Sequence, residues 1–202
     1  MELPKISCTE TSCGCSSSGY YPTIYGRLGL SGTYFSSRTP RLVNLPKTEE
    51  FISVSCGPDH SLALTASGKV YSWGINGGEG RLGDGTTATR TSPILVPMHG
   101  ILNPETTKRF IIQIEAGNVH SMALSKTGEV YAWGGNANGQ LGDGTTNNNR
   151  FPTQVMTFYG TPIKQIVAGY TSSYALTSDG RLYAWGANSQ GQLGLNLTTA
   201  NI

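Results

Sequence analysis

Three tryptophans in this chain follow a glycine at one fixed interval: Gly57 and Trp73, Gly117 and Trp133, and Gly169 and Trp185 each stand 16 positions apart. A second glycine comes straight after each Trp, at Gly74, Gly134 and Gly186. An interval kept through three copies marks a tandem repeat. Repetition constrains the fold more than local propensity does, because every copy must form the same supersecondary unit and bury its apolar face on a neighbour. After each Trp a Gly/Asn-rich loop ends in Arg81-Leu82-Gly83, Gln140-Leu141-Gly142 or Gln192-Leu193-Gly194. Asp-Gly-Thr-Thr follows at 84–87 and 143–146, then Pro93-Ile94-Leu95-Val96 and Pro152-Thr153-Gln154-Val155. An eroded fourth copy precedes these, keeping Gly26-Arg27-Leu28-Gly29 and Pro40-Arg41-Leu42-Val43 but not the Trp-bearing half.

Within one copy, 61–65 and 69–73 read as short β-rich runs around a turn at Ala66-Ser67-Gly68, where Gly supplies the positive φ. The run before Gly57 and the Pro-x-x-Val run add two more strands, the proline being tolerated at a strand head. Four short strands per period predict a propeller blade, with Trp73, Trp133 and Trp185 packed between blades. Composition agrees: 27 glycines in 202 residues and only 13% charged residues suit many strands joined by tight turns. The expected class is all-β, a partial or open β-propeller of about three to four four-stranded blades. Residues 1–25 read as a poorly structured Cys/Ser/Gly-rich segment, and 26–202 as the repeats, in units of 40–92, 93–151 and 152–202.

The motifs Gly-x-x-His-Ser-x-Ala-Leu, Gly-x-Val-Tyr-x-Trp-Gly and Gly-Gln-Leu-Gly resemble the regulator of chromosome condensation repeat family, over about Pro40 to Gly194. WD and kelch signatures are missing. The resemblance implies closed rings of about seven blades. Three blades would leave two apolar flanks open, so the expectation is a fragment, then a chain that self-associates to complete a ring or packs on another protein, and last a stable isolated arc. The resemblance also implies one activity, guanine-nucleotide exchange on a Ras-like small GTPase. Carried over by position, the interaction face would hold Asp59, His60, Asn118 and His120.

Other chemistry finds little support. His60 and His120 recur at one repeat position, as a structural residue would, and Ser172 takes that place in the third copy. No nucleophile elbow, alternating-carboxylate calcium loop or phosphate loop is present, and Asp84 and Asp143 read as turn-capping groups. No catalytic, cofactor or metal site is expected. Cys8, Cys13 and Cys15 lack the second ligand pair of a zinc site, and Cys56 suits a buried position. A net charge of +2 without a basic cluster argues against nucleic acid as partner, and no apolar window is long enough for a membrane span. The first residues lack a secretory signal, so the expected compartment is the cytoplasm, with the nucleus as alternative. The leading expectation is a non-catalytic protein-interaction or scaffold module, with exchange activity second. The insertion 97–108, carrying Met98, His99, Ile101 and Leu102, is the longest between repeats and a candidate contact loop. The single sequon, Asn196-Leu197-Thr198, reads as incidental.

Overall fold

A computed structural model describes residues 26–30, 37–98, 110–156, 158 and 161–195. Cys8, Cys13 and Cys15, most of the insertion, and the sequon lie outside these residues.

The chain folds as β-strands joined by loops. The first sheet comprises β1 (Phe51–Cys56), β2 (His60–Thr65), β3 (Val70–Gly74) and β4 (Arg90–Leu95), in sequential order. The second repeats it with β5 (Ile111–Ala116), β6 (His120–Ser125), β7 (Val130–Gly134) and β8 (Asn149–Gln154). The third comprises β9 (Ile163–Ala168), β10 (Ser172–Thr177) and β11 (Leu182–Gly186), with no fourth strand among the described residues. Every pairing is antiparallel.

The turns form where glycine was expected. Gly68, Gly128 and Gly180 close the central hairpins at φ of 79°, 85° and 91°, the left-handed region that a side chain disfavours. The second strand shows why the pattern is not strict alternation. His60–Thr65 and His120–Ser125 are buried at every position, because each has both faces covered: β6 by the sheets before and after it, β2 by the eroded copy's segment on one side and the second sheet on the other. A two-sided strand must be apolar or internally hydrogen-bonded throughout.

The proline strands differ from expectation. Pro93 is fourth in β4, not first. It is accommodated because β4 is an edge strand and its register with β3 breaks between Ser72 and Gly74. The corresponding run at 40–43 forms no strand. The first two sheets also draw part of their outer strands from residues that open the next sequence unit: Pro93 and Pro152, which begin units 93–151 and 152–202, lie in β4 and β8.

The core is divided into seams between sheets. Leu62, Leu64 and Val70 of the first sheet meet Ile111, Ile114 and Trp133 of the second. Met122, Leu124 and Val130 of the second meet Ile163, Ile166 and Trp185 of the third. Val43 and Leu45 pack with Phe51, Ala63 and Trp73 on the leading side of the first sheet. The insertion residue Met98 is buried in the first of these seams, so it is not a contact residue.

Candidate functional site

Each seam is locked by one main-chain carbonyl. The Arg81 carbonyl accepts from the Ser121 hydroxyl at 2.8 Å and the Trp133 indole N–H at 3.0 Å. One repeat on, the Gln140 carbonyl accepts from Ser173 at 2.8 Å and Trp185 at 2.9 Å. The eroded copy does the same: the Arg27 carbonyl accepts from Ser61 at 3.2 Å and Trp73 at 2.8 Å. The two lone pairs of the oxygen are thus both used, which satisfies a group whose burial would otherwise be costly. The loop bearing this carbonyl is held by an asparagine three residues after each Trp. Asn76, Asn136 and Asn188 are fully buried, and each accepts from the Leu N–H of its triplet at 2.9, 2.9 and 3.0 Å.

His60 and His120 complete the seams. The His60 Nε2 lies 2.8 Å from Ser121 Oγ, and the His120 Nε2 lies 3.1 Å from Ser173 Oγ. Each serine has a single proton, already given to the Arg81 or Gln140 carbonyl, so each imidazole donates through Nε2. Both Nδ1 atoms are buried without a hydrogen-bond partner. Protonating them would place a charge and an unpaired N–H in the seam. Burial, reinforced by the charges of Arg81 and His120, holds the His60 pKa down to about 3, and burial holds His120 at about 4. Both are neutral across the physiological range. This corrects the expected face: the two imidazoles lie inside the blade seams, since the strand that carries them is covered on both sides.

Asp59 and Asn118 do reach one end of the assembly, where the corner loops after the inner strands β1, β5 and β9 converge. Asp59 pairs with Arg27 at 3.1 Å and Arg81 at 3.3 Å. Arg81 also donates to the Asn118 carbonyl at 3.1 Å and pairs with Glu79 at 3.2 Å. The Asn118 N–H donates to the Tyr170 carbonyl at 3.2 Å. The glycines explain the close approach: a β-carbon on Gly57 would fall 2.2 Å from the Gly117 carbonyl oxygen, and one on Gly117 2.8 Å from that of Gly169. The corners surround a hollow of about 250 Å³ lined by residues that include Pro58, Asn118 and Tyr170. Tyr170 is 68% exposed there. Sequence reading passed over it because it stands where Pro58 and Asn118 do, a position without a repeated residue. Arg81 and the three asparagines were missed too, although an Asn three places after every Trp is a visible repeat signal.

Asp84 accepts from the Thr86 N–H at 2.9 Å and pairs with Arg90 at 2.6 Å; Asp143 accepts from the Thr145 N–H at 2.9 Å. Both are turn caps. Among the described residues no group of three or more His, Cys, Asp or Glu could hold a metal, and no helix is long and apolar enough to cross a membrane.

Antiparallel four-stranded meanders, stacked flank to flank and joined at their inner-strand corners, define a β-propeller built of repeats. A family model described as the RCC1-like domain matches residues 12–201. The chain belongs to that family. It is 39% identical to the ultraviolet-B receptor UVR8 of Arabidopsis thaliana over 84% of this chain and 37% of the receptor. It is 40% identical to the human X-linked retinitis pigmentosa GTPase regulator over 74% of this chain and 14% of that protein. Among solved structures, Prp20p of Saccharomyces cerevisiae, described with its binding to Gsp1p and histones, superposes with a TM-score of 0.73 and 30% identity, covering 86% of this chain and 41% of that one. The chain therefore spans less than half the length of these relatives.

Proposed function

We propose that the chain is a non-catalytic protein-interaction module of the cytoplasm, and that its binding surface is the axial end carrying Pro58, Asn118 and Tyr170. One observation carries the reading. The two imidazoles, His60 and His120, are buried and held neutral, and the carboxylates of Asp59 and Glu79 are tied up in ion pairs with Arg27 and Arg81. What remains on the surface is an exposed aromatic ring beside polar backbone corners. A rigid aromatic anchor loses little conformational entropy on contact, which suits protein binding. The chemistry of such a face is recognition.

Guanine-nucleotide exchange on a Ras-like small GTPase is the second reading, favoured by the likeness to Prp20p, whose solved structure is described with binding to Gsp1p. The two separate in one assay. Labelled GDP is loaded on a small GTPase and its release followed with and without the chain. The module reading expects release at the intrinsic rate, together with a protein partner whose affinity falls at least about tenfold in Tyr170→Ala, the effect of losing a modest hot spot. Accelerated release would establish exchange instead. A partner bound equally well by Tyr170→Ala would remove the axial face from the proposal.

A further inference from the structure

At the end of the sheets away from the corner loops, a cation stands straight after the hairpin glycine in the first and third copies, Lys69 and Arg181; the second copy has Glu129 there. Equivalent hydrogen bonds fix the match, Thr65 N–H to the Lys69 carbonyl and Thr177 N–H to the Arg181 carbonyl, both at 2.9 Å. The strap leading into each inner strand is matched in the same way. Ala66 N–H donates to the Glu50 carbonyl at 2.7 Å and Ser178 N–H to the Pro162 carbonyl at 2.9 Å. Glu49 and Thr161 therefore hold one repeat position, and Ser67 and Asp179 hold another.

Around the cation, these two copies exchange an anion and a hydroxyl. In the first, Glu49 of the strap pairs with Lys69 and accepts from the Ser67 hydroxyl at 3.0 Å. In the third, Thr161 of the strap accepts from Arg181 Nη2 at 2.6 Å, and the anion is Asp179 of the hairpin, 2.9 Å from Arg181. The third strap thus sets a hydroxyl against a guanidinium where the first sets a carboxylate against an ammonium. Both arrangements lie within one copy's own strap and hairpin, and the first forms with a complete sheet beside it.

The residues around Thr161 have a form that protein kinases read. Thr161-Pro162-Ile163-Lys164 puts proline directly after the hydroxyl and a cation three places beyond it. Thr39-Pro40 and Ser92-Pro93, the other hydroxyl-proline pairs, have Leu42 and Leu95 at that place. Thr161 and Pro162 precede β9, and the exposed Lys164 falls at its register shift, where Gln165 faces Leu176 and Ile163 faces Thr177. Of the four residues only Ile163 stands in the ladder.

We propose that Thr161 is a phosphorylation site for a proline-directed protein kinase, and that its phosphate pairs with Arg181 as Glu49 pairs with Lys69. Thr161 Oγ1 attacks the terminal phosphorus of a nucleoside triphosphate held by the kinase. A bond from phosphorus to Oγ1 forms, its bond to the nucleoside diphosphate breaks, and the hydroxyl proton passes to the kinase's base. The phosphate replaces a neutral acceptor with a charged one, which strengthens the bond to the guanidinium. The strap also crosses the second sheet's hairpin: a β-carbon on Gly128 would fall 2.7 Å from Pro162 Cα, and Ile163 N–H donates to the Gly128 carbonyl at 3.2 Å. Phosphorylation therefore fastens the strap between the hairpins of the second and third sheets. The site lies at the opposite end from the axial surface and does not rest on it.

The test incubates the folded chain with a proline-directed serine/threonine kinase and ATP, and mass spectrometry locates the phosphate. A phosphate on Thr161 is expected, and Thr161→Val should remove that phosphopeptide. Phosphorus NMR of the phosphorylated chain then follows the second ionisation of the phosphate, which ordinarily falls at about pH 6. Arg181 should hold it lower, and Arg181→Gln, with circular dichroism confirming its fold, should let it rise. The Ile163 and Ser178 amides should exchange about two- to fivefold more slowly once Thr161 is phosphorylated, the scale of an exposed ion pair. Arg181→Gln should abolish that slowing. A folded chain that takes no phosphate on Thr161 would overturn the proposal. So would a phosphate that titrates alike with and without Arg181.

Discussion

A single hydroxyl proton decides the state of each buried imidazole. Because Ser121 and Ser173 spend theirs on a carbonyl, His60 and His120 are donors, and truncating either serine strands a buried Nε2–H. Ser173→Ala should lower stability by about 1–3 kcal/mol, the cost of an unsatisfied buried group, measured by urea unfolding. The same groups set a pH dependence. Their folded pKa values, about 3 and about 4, lie below the unfolded value of 6.5, so the unfolded chain binds more protons in between. Stability from this source is complete above pH 6.5 and declines as pH falls toward 4 and then 3. A Ser-for-His exchange at position 120, copying Ser172, should flatten the denaturation midpoint between pH 6.5 and 4 relative to the unmodified chain. A midpoint that instead rises on acidification would contradict the neutral-donor assignment. The structural role of these histidines was legible in their recurrence at one repeat position. Their concealment was not, because a His beside a surface corner reads alike whether it faces water or the next sheet.

At the level of the strand and turn, periodic spacing carried most of the information. The hairpin glycines, the inner strands and the role of the indoles all follow from intervals that repeat. The place of Pro93 inside β4 does not, since a register break is set by how β3 and β4 splay and leaves no mark in composition. The Trp-bearing strands also differ in their surroundings. Trp133 is enclosed by two full sheets, whereas Trp73 has only residues such as Arg27, Gly29 and Val43 on its leading side. Trp133→Ala should therefore cost about 3–5 kcal/mol, and Trp73→Ala measurably less, by guanidinium unfolding. Gly117→Ala probes the corners instead: its new methyl would lie 2.3 Å from His120 Cε1, and overpacking of this kind costs about 1–3 kcal/mol. Equal losses for the two tryptophan variants would mean that the eroded copy covers its seam as well as a complete sheet does.

For the molecule as a whole, each sheet is supported only by its neighbours, so stability is distributed by position along the array. The second sheet has a full partner on both flanks and the third on one. Amide hydrogen exchange should be slowest in β6 and faster in β10, by about tenfold for each 1.4 kcal/mol of local support lost. The number of sheets could be read from the repeats, but not which flanks would stay open, because the eroded copy keeps the residues of an outer strand without its pairing. The joint itself has a further implication. It is made by a peptide oxygen, at Arg27, Arg81 and Gln140 in turn, and no substitution deletes a peptide oxygen. The side chain mounted there can drift without loosening the architecture, as the change from arginine to glutamine between copies already illustrates. Successive units are thereby at liberty to diversify the groups they display while the masonry between them stays the same.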